Sequence, residues 1–250
     1  LDAGGNAGLL TASLARIHGA RTMLGVDIDE SLVRRAERLV RTQVSVGPPP
    51  PHLVATTGAQ YPVSLPVRHG GARSPQPEAG ATGFPHGVRF RHLNFVQEPA
   101  SEGAPGTGAA VGQFDTITCL STSKWVHLCF GDEGLMRLFW RVHAALRPGG
   151  RFLLEPQPWS SYRKNRNVSE ETKRNFQTIQ LRPPHDRSGS DGGGIAEVFR
   201  RILVERVGFA SCEELAVERH AGESAGFAER PLLLFTKACR RVNNSANAWR

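Results

Sequence analysis

Two groups of residues in this sequence could do chemistry. The first is the run Asp2-Ala-Gly4-Gly5-Asn6-Ala-Gly8, with Asp27 lying 19 residues after Gly8. Glycines let a backbone turn sharply and approach a ligand closely. An acid at the tip of the following strand can accept hydrogen bonds from ribose hydroxyls. Together they point to a nucleotide-like cofactor at the carboxyl edge of a parallel sheet. The second group spans residues 120–135, Leu-Ser-Thr-Ser-Lys-Trp-Val-His-Leu-Cys-Phe-Gly-Asp-Glu-Gly-Leu, and residues 155–162, Glu-Pro-Gln-Pro-Trp-Ser-Ser-Tyr. Both segments follow apolar strand-like runs, which places them at the edge where α/β active sites lie.

The elements that must position these groups alternate along the chain. Leu1 to Gly8 reads as a strand end and a glycine loop. Leu10, Leu14 and Ile17 recur at helical spacing up to Gly19, a helix stop. Thr22 to Asp27 is a short strand. Leu32, Val33, Ala36, Leu39 and Val40 make a second helical stripe, capped by Asp29 or Ser31. Further strands are expected over 88–92, 114–120, 151–155, 211–218 and 231–237, with helices over about 135–146 and 195–207. Arg147-Pro148-Gly149-Gly150 ends the first of those helices. Trp140 lies in its stripe and reads as packing. This β-loop-α-β-α order implies a parallel sheet with helices on its faces. Stretches rich in Pro, Gly, Ala and Ser at about 47–86, 99–112 and 186–194 read as flexible insertions.

Composition bounds the function. The 250 residues are 39% hydrophobic and 22% charged, enough for a sizeable core. No apolar run approaches the roughly 18–20 residues of a membrane span. Cys119, Cys129, Cys212 and Cys239 are widely spaced, which argues against a disulfide scaffold and fits a reducing compartment. The histidines and cysteines show no metal-ligand spacing, so no metal is expected. Basic residues number 31 against 23 acidic ones, a net charge of +8 that favours a polyanionic partner. Only Lys124, Lys164, Lys173 and Lys237 are lysines. Arginine offers a planar fork for phosphate, although a GC-rich genome gives the same bias.

The first loop is D-x-G-x-N-x-G, not the G-x-G-x-x-G of dinucleotide sites, so a nicotinamide-dependent oxidoreductase is the weakest reading. The spacing, with the Leu146-Arg147-Pro148-Gly149-Gly150 turn, resembles the class I S-adenosylmethionine methyltransferases. The Lys124-Trp-Val-His-Leu and Gly131-Asp-Glu-Gly-Leu runs, with Glu155-Pro-Gln-Pro-Trp-Ser-Ser-Tyr, more narrowly resemble the RNA 5′-methylphosphate capping enzymes. That likeness continues through Asn175 to Leu181 and to Arg230-Pro231, Phe235 and Lys237-Ala238, and covers most of the chain outside the insertions.

The resemblance implies an α/β class I methyltransferase (Rossmann-like) domain over 1–240, ahead of a tail at 241–250. Its sheet would be seven-stranded and mostly parallel, with flanking helices and an antiparallel last pair. It implies S-adenosyl-L-methionine as cofactor, held by Asp2, Gly4, Gly5, Asn6 and Gly8, by Asp27 and Ile28 at the ribose, by Asn94 and Phe95 near the adenine, and by Leu120. Lys124, His127 and Glu155 would serve catalysis at an RNA 5′ end, with Trp125, Trp159, Tyr162, Arg163, Lys164 and Arg166 binding RNA. The product would be a methylated terminal phosphate on a small non-coding RNA. RNA-binding protein partners, a monomeric state, and a nuclear or cytoplasmic location rather than secretion complete what it implies. Two departures stand out. Gly5 occupies a position where the family usually has Cys, and the family's Tyr- and Arg-containing segment before the first strand is absent from this sequence.

Chemically, a phosphate oxygen is already anionic near neutral pH, so its methylation needs positioning and charge complementarity more than a strong base. Lys124, His127, Arg163 and Lys164 could hold the phosphate; too many cations would stabilise its ground state and slow attack. The residues alone leave two rivals open: a methyltransferase acting on a small molecule or protein, and a non-catalytic RNA-binding relic of the fold.

Overall fold

The computed structural model describes residues 1–45, 82–97, 112–184, 194–216 and 230–239. The insertions expected at 47–86, 99–112 and 186–194 and the tail at 241–250 lie wholly or largely outside these residues. The chain divides into two compact units, Leu1–Asn94 and Phe95–Arg250.

The first unit contains β1 (Asp2–Ala3), α1 (Leu9–His18), β2 (Met23–Asp27), α2 (Glu30–Ser45) and β3 (Val88–His92). Its strands are parallel and ordered β3-β2-β1, with Asp2 opposite Gly25 and Asp27 opposite His92. Parallel pairing requires a crossover, and α1 supplies the one between β1 and β2. Val26, Ala12, Ala15 and Ala36 are buried. The packing is tight enough to dictate glycine. A Cβ on Gly25 would come within 2.6 Å of the Phe90 ring. At Gly8, which has φ 78°, a Cβ would meet Ala36 Cβ at 2.5 Å and the Phe90 ring at 2.7 Å. Gly19 ends α1 in the left-handed region at φ 63°, as expected of a helix stop. Of the two expected caps for α2, Asp29 is the one used: its Oδ1 accepts the Ser31 and Leu32 N–H groups at 2.8 and 3.4 Å.

The second unit contains β4 (Phe114–Leu120), α3 (Ser123–Ala145), β5 (Leu146–Glu155), α4 (Trp159–Asn165), α5 (Glu170–Thr178), α6 (Gly194–Arg201), a π-helical turn (Ile202–Val207), β6 (Phe209–Leu215) and β7 (Leu232–Lys237). Its strand order is β4-β5-β7-β6; β4 and β5 are parallel, and β7 is antiparallel to both neighbours. The core between sheet and helices is aromatic: Phe139 meets Phe152 and Phe199, and Phe235 meets Phe152 and Phe209. With seven strands, mostly parallel, and flanking helices, this is the class I methyltransferase type of α/β fold expected from the sequence.

Four local expectations need correction. The helix expected at about 135–146 starts 12 residues earlier, at Ser123, and turns sharply at Gly131 (φ 63°, ψ −166°). Its first half carries a buried Lys and a buried His, which break the apolar stripe that periodicity reads. Residues 156–176, a polar, basic and aromatic stretch to which the sequence assigned no element, contain α4 and most of α5; α5 opens on a capping box between Ser169 and Thr172. The strand expected at 151–155 begins at Leu146. The pairing steps from Leu146 to Arg151 on β5 against Phe114 to Thr116 on β4, so the Pro-Gly-Gly turn is a bulge, with Gly149 at φ 77°. Trp140 is 51% exposed and is not core packing. No helix of the described residues is long and apolar enough to cross a membrane.

Candidate active site

The first unit builds a loop of fixed shape. The Gly4 and Gly5 N–H groups both donate to Val26 O, at 2.9 and 3.0 Å, which ties the loop to the end of β2. Gly4 and Gly8 stand at φ 82° and 78° and Asn6 at φ 50°, so the chain bends through conformations that favour Gly and Asn. Asp2 is buried and its Oδ2 accepts the Thr11 hydroxyl at 2.6 Å, fastening the loop to α1. A Cβ on Gly5 would lie 3.2 Å from Thr11 Oγ1 and 3.4 Å from Asp2 Oδ2, so a small side chain there requires a shift of tenths of an ångström.

Asp27 ends β2 with both carboxylate oxygens directed to backbone: Oδ2 accepts Asn6 N–H at 2.9 Å and Oδ1 accepts Asp29 N–H at 3.0 Å. Each oxygen keeps a further lone pair, so a vicinal diol can still be bound. Ile28 beside it is 57% exposed, an apolar surface of the kind that covers a planar ring. Asn94 is half-buried just beyond β3. The acceptor oxygens of Asp27 beside an exposed apolar side chain fit the ribose of a nucleoside.

The second unit holds the other candidates. Beyond β4, Ser121 adopts φ 54°, a left-handed conformation that costs a non-glycine residue on the order of 1–3 kcal/mol. Three side chains hold it. Gln157 Nε2 donates to Ser121 O at 2.7 Å, Ser121 Oγ donates to Glu155 Oε1 at 2.9 Å, and Arg230 Nη1 donates to both oxygens at 2.7 and 2.8 Å. Glu155 is thus neutralised by Arg230, within a cluster that shapes the β4–α3 turn.

Lys124, in the first turn of α3, is only 4% exposed. Its Nζ donates to Ser161 Oγ at 3.0 Å and sits 4.2 Å from the Trp125 ring centroid. Burial, reinforced by the charges of Arg230 and Lys164, pushes its pKa below the usual lysine value. One turn on, His127 is fully buried, with Nε2 2.8 Å from Asp132 Oδ1 and Nδ1 3.4 Å from the Tyr162 hydroxyl. Burial pushes the Tyr162 phenol far up, so it remains an O–H. Trp159 is buried between Tyr162 and Phe176, stacked on the latter at 5.3 Å and 19°. Trp125 is 39% exposed, and Arg163, Lys164 and Arg166 are exposed on and after α4.

The structure therefore brings Lys124, His127 and Tyr162 together with Ser161, and joins Glu155 to Ser121 and Arg230. Trp159 and Tyr162 are enclosed by protein, so in this arrangement neither ring offers a face to a base, whereas Trp125 does. Phe95 is buried and Leu120 half-buried, the latter's carbonyl accepting the Thr122 hydroxyl at 3.0 Å. Sequence reasoning gave Asp132 and Ser121 no individual role and took Gln157 only as part of the Glu155–Tyr162 run. Asp132 stood in the quoted Gly131-Asp-Glu-Gly-Leu run, five residues after His127, and Arg230 was quoted without a partner. Among the described residues, no group of three or more His, Cys, Asp and Glu side chains could hold a metal ion.

Burial raises the Asp132 carboxyl, but hydrogen bonds from His127 and from the Gln180 and Leu181 N–H groups outweigh it and hold the carboxyl below its ordinary value of 3.8. A carboxyl lowered in the folded state binds fewer protons than in the unfolded chain. Its contribution is complete above the unfolded value and is lost as the pH falls through the folded one. Urea midpoints measured from neutral pH down into the acid range should fall for the unaltered chain. For Asp132→Asn they should start lower and fall less steeply. Parallel curves would refute the assignment.

A glycine loop between β1 and α1 and an acid ending β2, in a mostly parallel α/β fold, define the class as a class I methyltransferase fold. A family model, Bicoid-interacting protein 3 (Bin3), matches residues 114–237. A probable RNA methyltransferase of Arabidopsis thaliana is 37% identical over 246 residues, 95% of this chain and 69% of that protein. The 7SK snRNA methylphosphate capping enzyme of Homo sapiens is 37% identical over 257 residues, 95% of this chain and 34% of the enzyme. The U6 snRNA methylphosphate capping enzyme of Drosophila melanogaster is 31% identical over 238 residues, 95% of this chain and 62% of the enzyme. The chain belongs to the Bin3 family. It spans about a third of the human relative's length and under two thirds of the fly relative's.

Proposed function

We propose that this chain is an S-adenosylmethionine-dependent RNA methyltransferase that methylates the 5′-terminal phosphate of a small non-coding RNA. The observation that carries the reading is Lys124, a buried cation at the start of α3, beside exposed Arg163 and Lys164 on α4, in a chain related to snRNA capping enzymes. S-adenosylmethionine, when bound, supplies a methyl group activated by a sulfonium. The Gly4–Gly8 loop would shape its seat, and Asp27 and Ile28 would lie at its ribose.

The remaining work is positioning. The phosphate oxygen carries its own negative charge, so no side chain has to remove a proton. Lys124 stands in a low-dielectric setting where one ammonium holds a phosphate more strongly than an exposed one. Because Arg230 neutralises Glu155, that carboxylate does not repel the incoming anion. Exposed Arg163, Lys164 and Arg166 meet the following backbone phosphates, and Trp125 offers the face on which the first base stacks. We place the chain in the nucleus as a monomeric single methyltransferase domain working alongside RNA-binding proteins.

The test is transfer of labelled methyl to short RNAs with 5′-triphosphate, 5′-monophosphate or 5′-hydroxyl ends. Label is expected only on phosphorylated ends, and Asp27→Ala should reduce it at least tenfold through weaker cofactor binding. Label on a protein or small molecule but on no RNA would favour another acceptor. RNA binding without any transfer would favour a relic of the fold.

A further inference from the structure

The Asn175–Leu181 segment, conspicuous in the sequence, has no role in the reading above. In the structure it meets the break in α3. Carbonyls in the last turn before such a break lose the helical N–H groups that would serve them. Asn175, on α5, supplies the replacement: its Nδ2 donates to Leu128 O and to Cys129 O, both at 2.9 Å. From the other side of Gly131, Asp132 returns the contact by accepting the Gln180 and Leu181 N–H groups at 2.7 and 3.3 Å while it holds His127. His127 in turn meets Tyr162 on α4, and Lys124 meets Ser161 on the same helix. Phe176, next to Asn175, stacks on Trp159.

From this geometry we propose that Asn175 is a positioning residue for RNA: by closing the break at Gly131 it locks α4 and α5 onto the half of α3 that carries Lys124. The inference rests on the RNA reading proposed above. Asn175 touches no substrate. It sets the distance between Lys124 and the exposed cations Arg163, Lys164 and Arg166. The carboxamide suits the task, because one NH₂ group can give a hydrogen to each of two carbonyls. An aspartate of the same size would set a carboxylate against those two oxygens.

The experiment uses the full chain and three variants, Asn175→Ala, Asn175→Asp and Asn175→Gln. Hydrogen exchange is followed by peptide, binding of a 5′-phosphorylated RNA by anisotropy, and methyl transfer with RNA and cofactor varied separately. Asn175→Ala should speed exchange over 159–178 and leave 114–120 and 150–155 unchanged. RNA binding and the KM for RNA should weaken about tenfold, the scale of one well-formed hydrogen-bond contribution, with the KM for cofactor within about twofold of the unaltered chain. Asn175→Asp should be worse than Asn175→Ala, and Asn175→Gln should recover part of the loss. Unchanged exchange over 159–178 would overturn the joint. Faster exchange with RNA binding and KM unchanged would leave only a structural role and overturn the positioning claim. An unaltered chain that binds no RNA would instead defeat the functional reading, and the exchange data would still decide the joint.

Discussion

Lys124→Met should lower methyl transfer to a 5′-phosphorylated RNA by roughly 10²–10³-fold, the range lost when one preorganised charge-stabilising group is removed from an active site. The stability of the folded chain should hold or rise. The two effects have opposite signs for one reason. An ammonium that is 4% exposed and donates to the neutral Ser161 Oγ carries a desolvation cost that the fold does not recover. A methionine of similar length fills the same space without that cost. Steady-state kinetics and urea unfolding on the same preparations measure both effects. Equal losses of activity and stability would mean that Lys124 is a structural residue.

A pH series sharpens this prediction. With its folded pKa lowered from the ordinary 10.5, Lys124 releases its proton in the folded chain before it does so in the unfolded one. Between the two values the unfolded chain holds more protons, so the stability contributed by this group rises as the pH climbs through that window. The stability advantage of Lys124→Met should therefore be largest near neutral pH and shrink in alkali. An advantage independent of pH would place the ammonium in water.

Gly8→Ala should destabilise the chain by about 2–5 kcal/mol, from the sum of a left-handed backbone penalty and overpacking. The packing part is specific. The new methyl would fall 2.5 Å from Ala36 Cβ and 2.7 Å from the Phe90 ring, so α1, α2 and β3 would all have to shift. Gly19→Ala is the control. Gly19 has φ 63° but nothing within 4 Å of its would-be Cβ, so only the backbone penalty of about 1–2 kcal/mol should remain. Urea unfolding of the two variants isolates the packing term by difference. Equal losses would mean that the α1–α2 contact yields easily. Cofactor binding should fail in Gly8→Ala and survive in Gly19→Ala.

The sequence by itself determined the order of the elements outside α4 and α5, and it pointed to the chemistry of the first loop. The Gly4–Gly8 loop and Asp27 belong to one short β-α-β stretch, where spacing along the chain sets spacing in space. Gly19, Asp29 and the apolar strand 114–120 act on their immediate neighbours, and so their effects were also readable. Tertiary structure alone decided the rest. Whether Tyr162 stacks a base or fills a core depends on Trp159 and His127 closing round it, and an aromatic residue reads the same in either role. Glu155 reads as a lone acid until Arg230, 75 residues away, neutralises it. The burial of Lys124 against Ser161 is not visible in the sequence, and His127 has no visible partner until the chain turns at Gly131 and brings Asp132 back to it. The α4–α5 segment gave no apolar stripe because its contacts with α3 are largely hydrogen bonds, made by Ser161, Tyr162, Asn175 and the Gln180 N–H. Hydrophobic periodicity records which faces avoid water; it carries no record of which buried polar groups will meet, and that pairing builds this site.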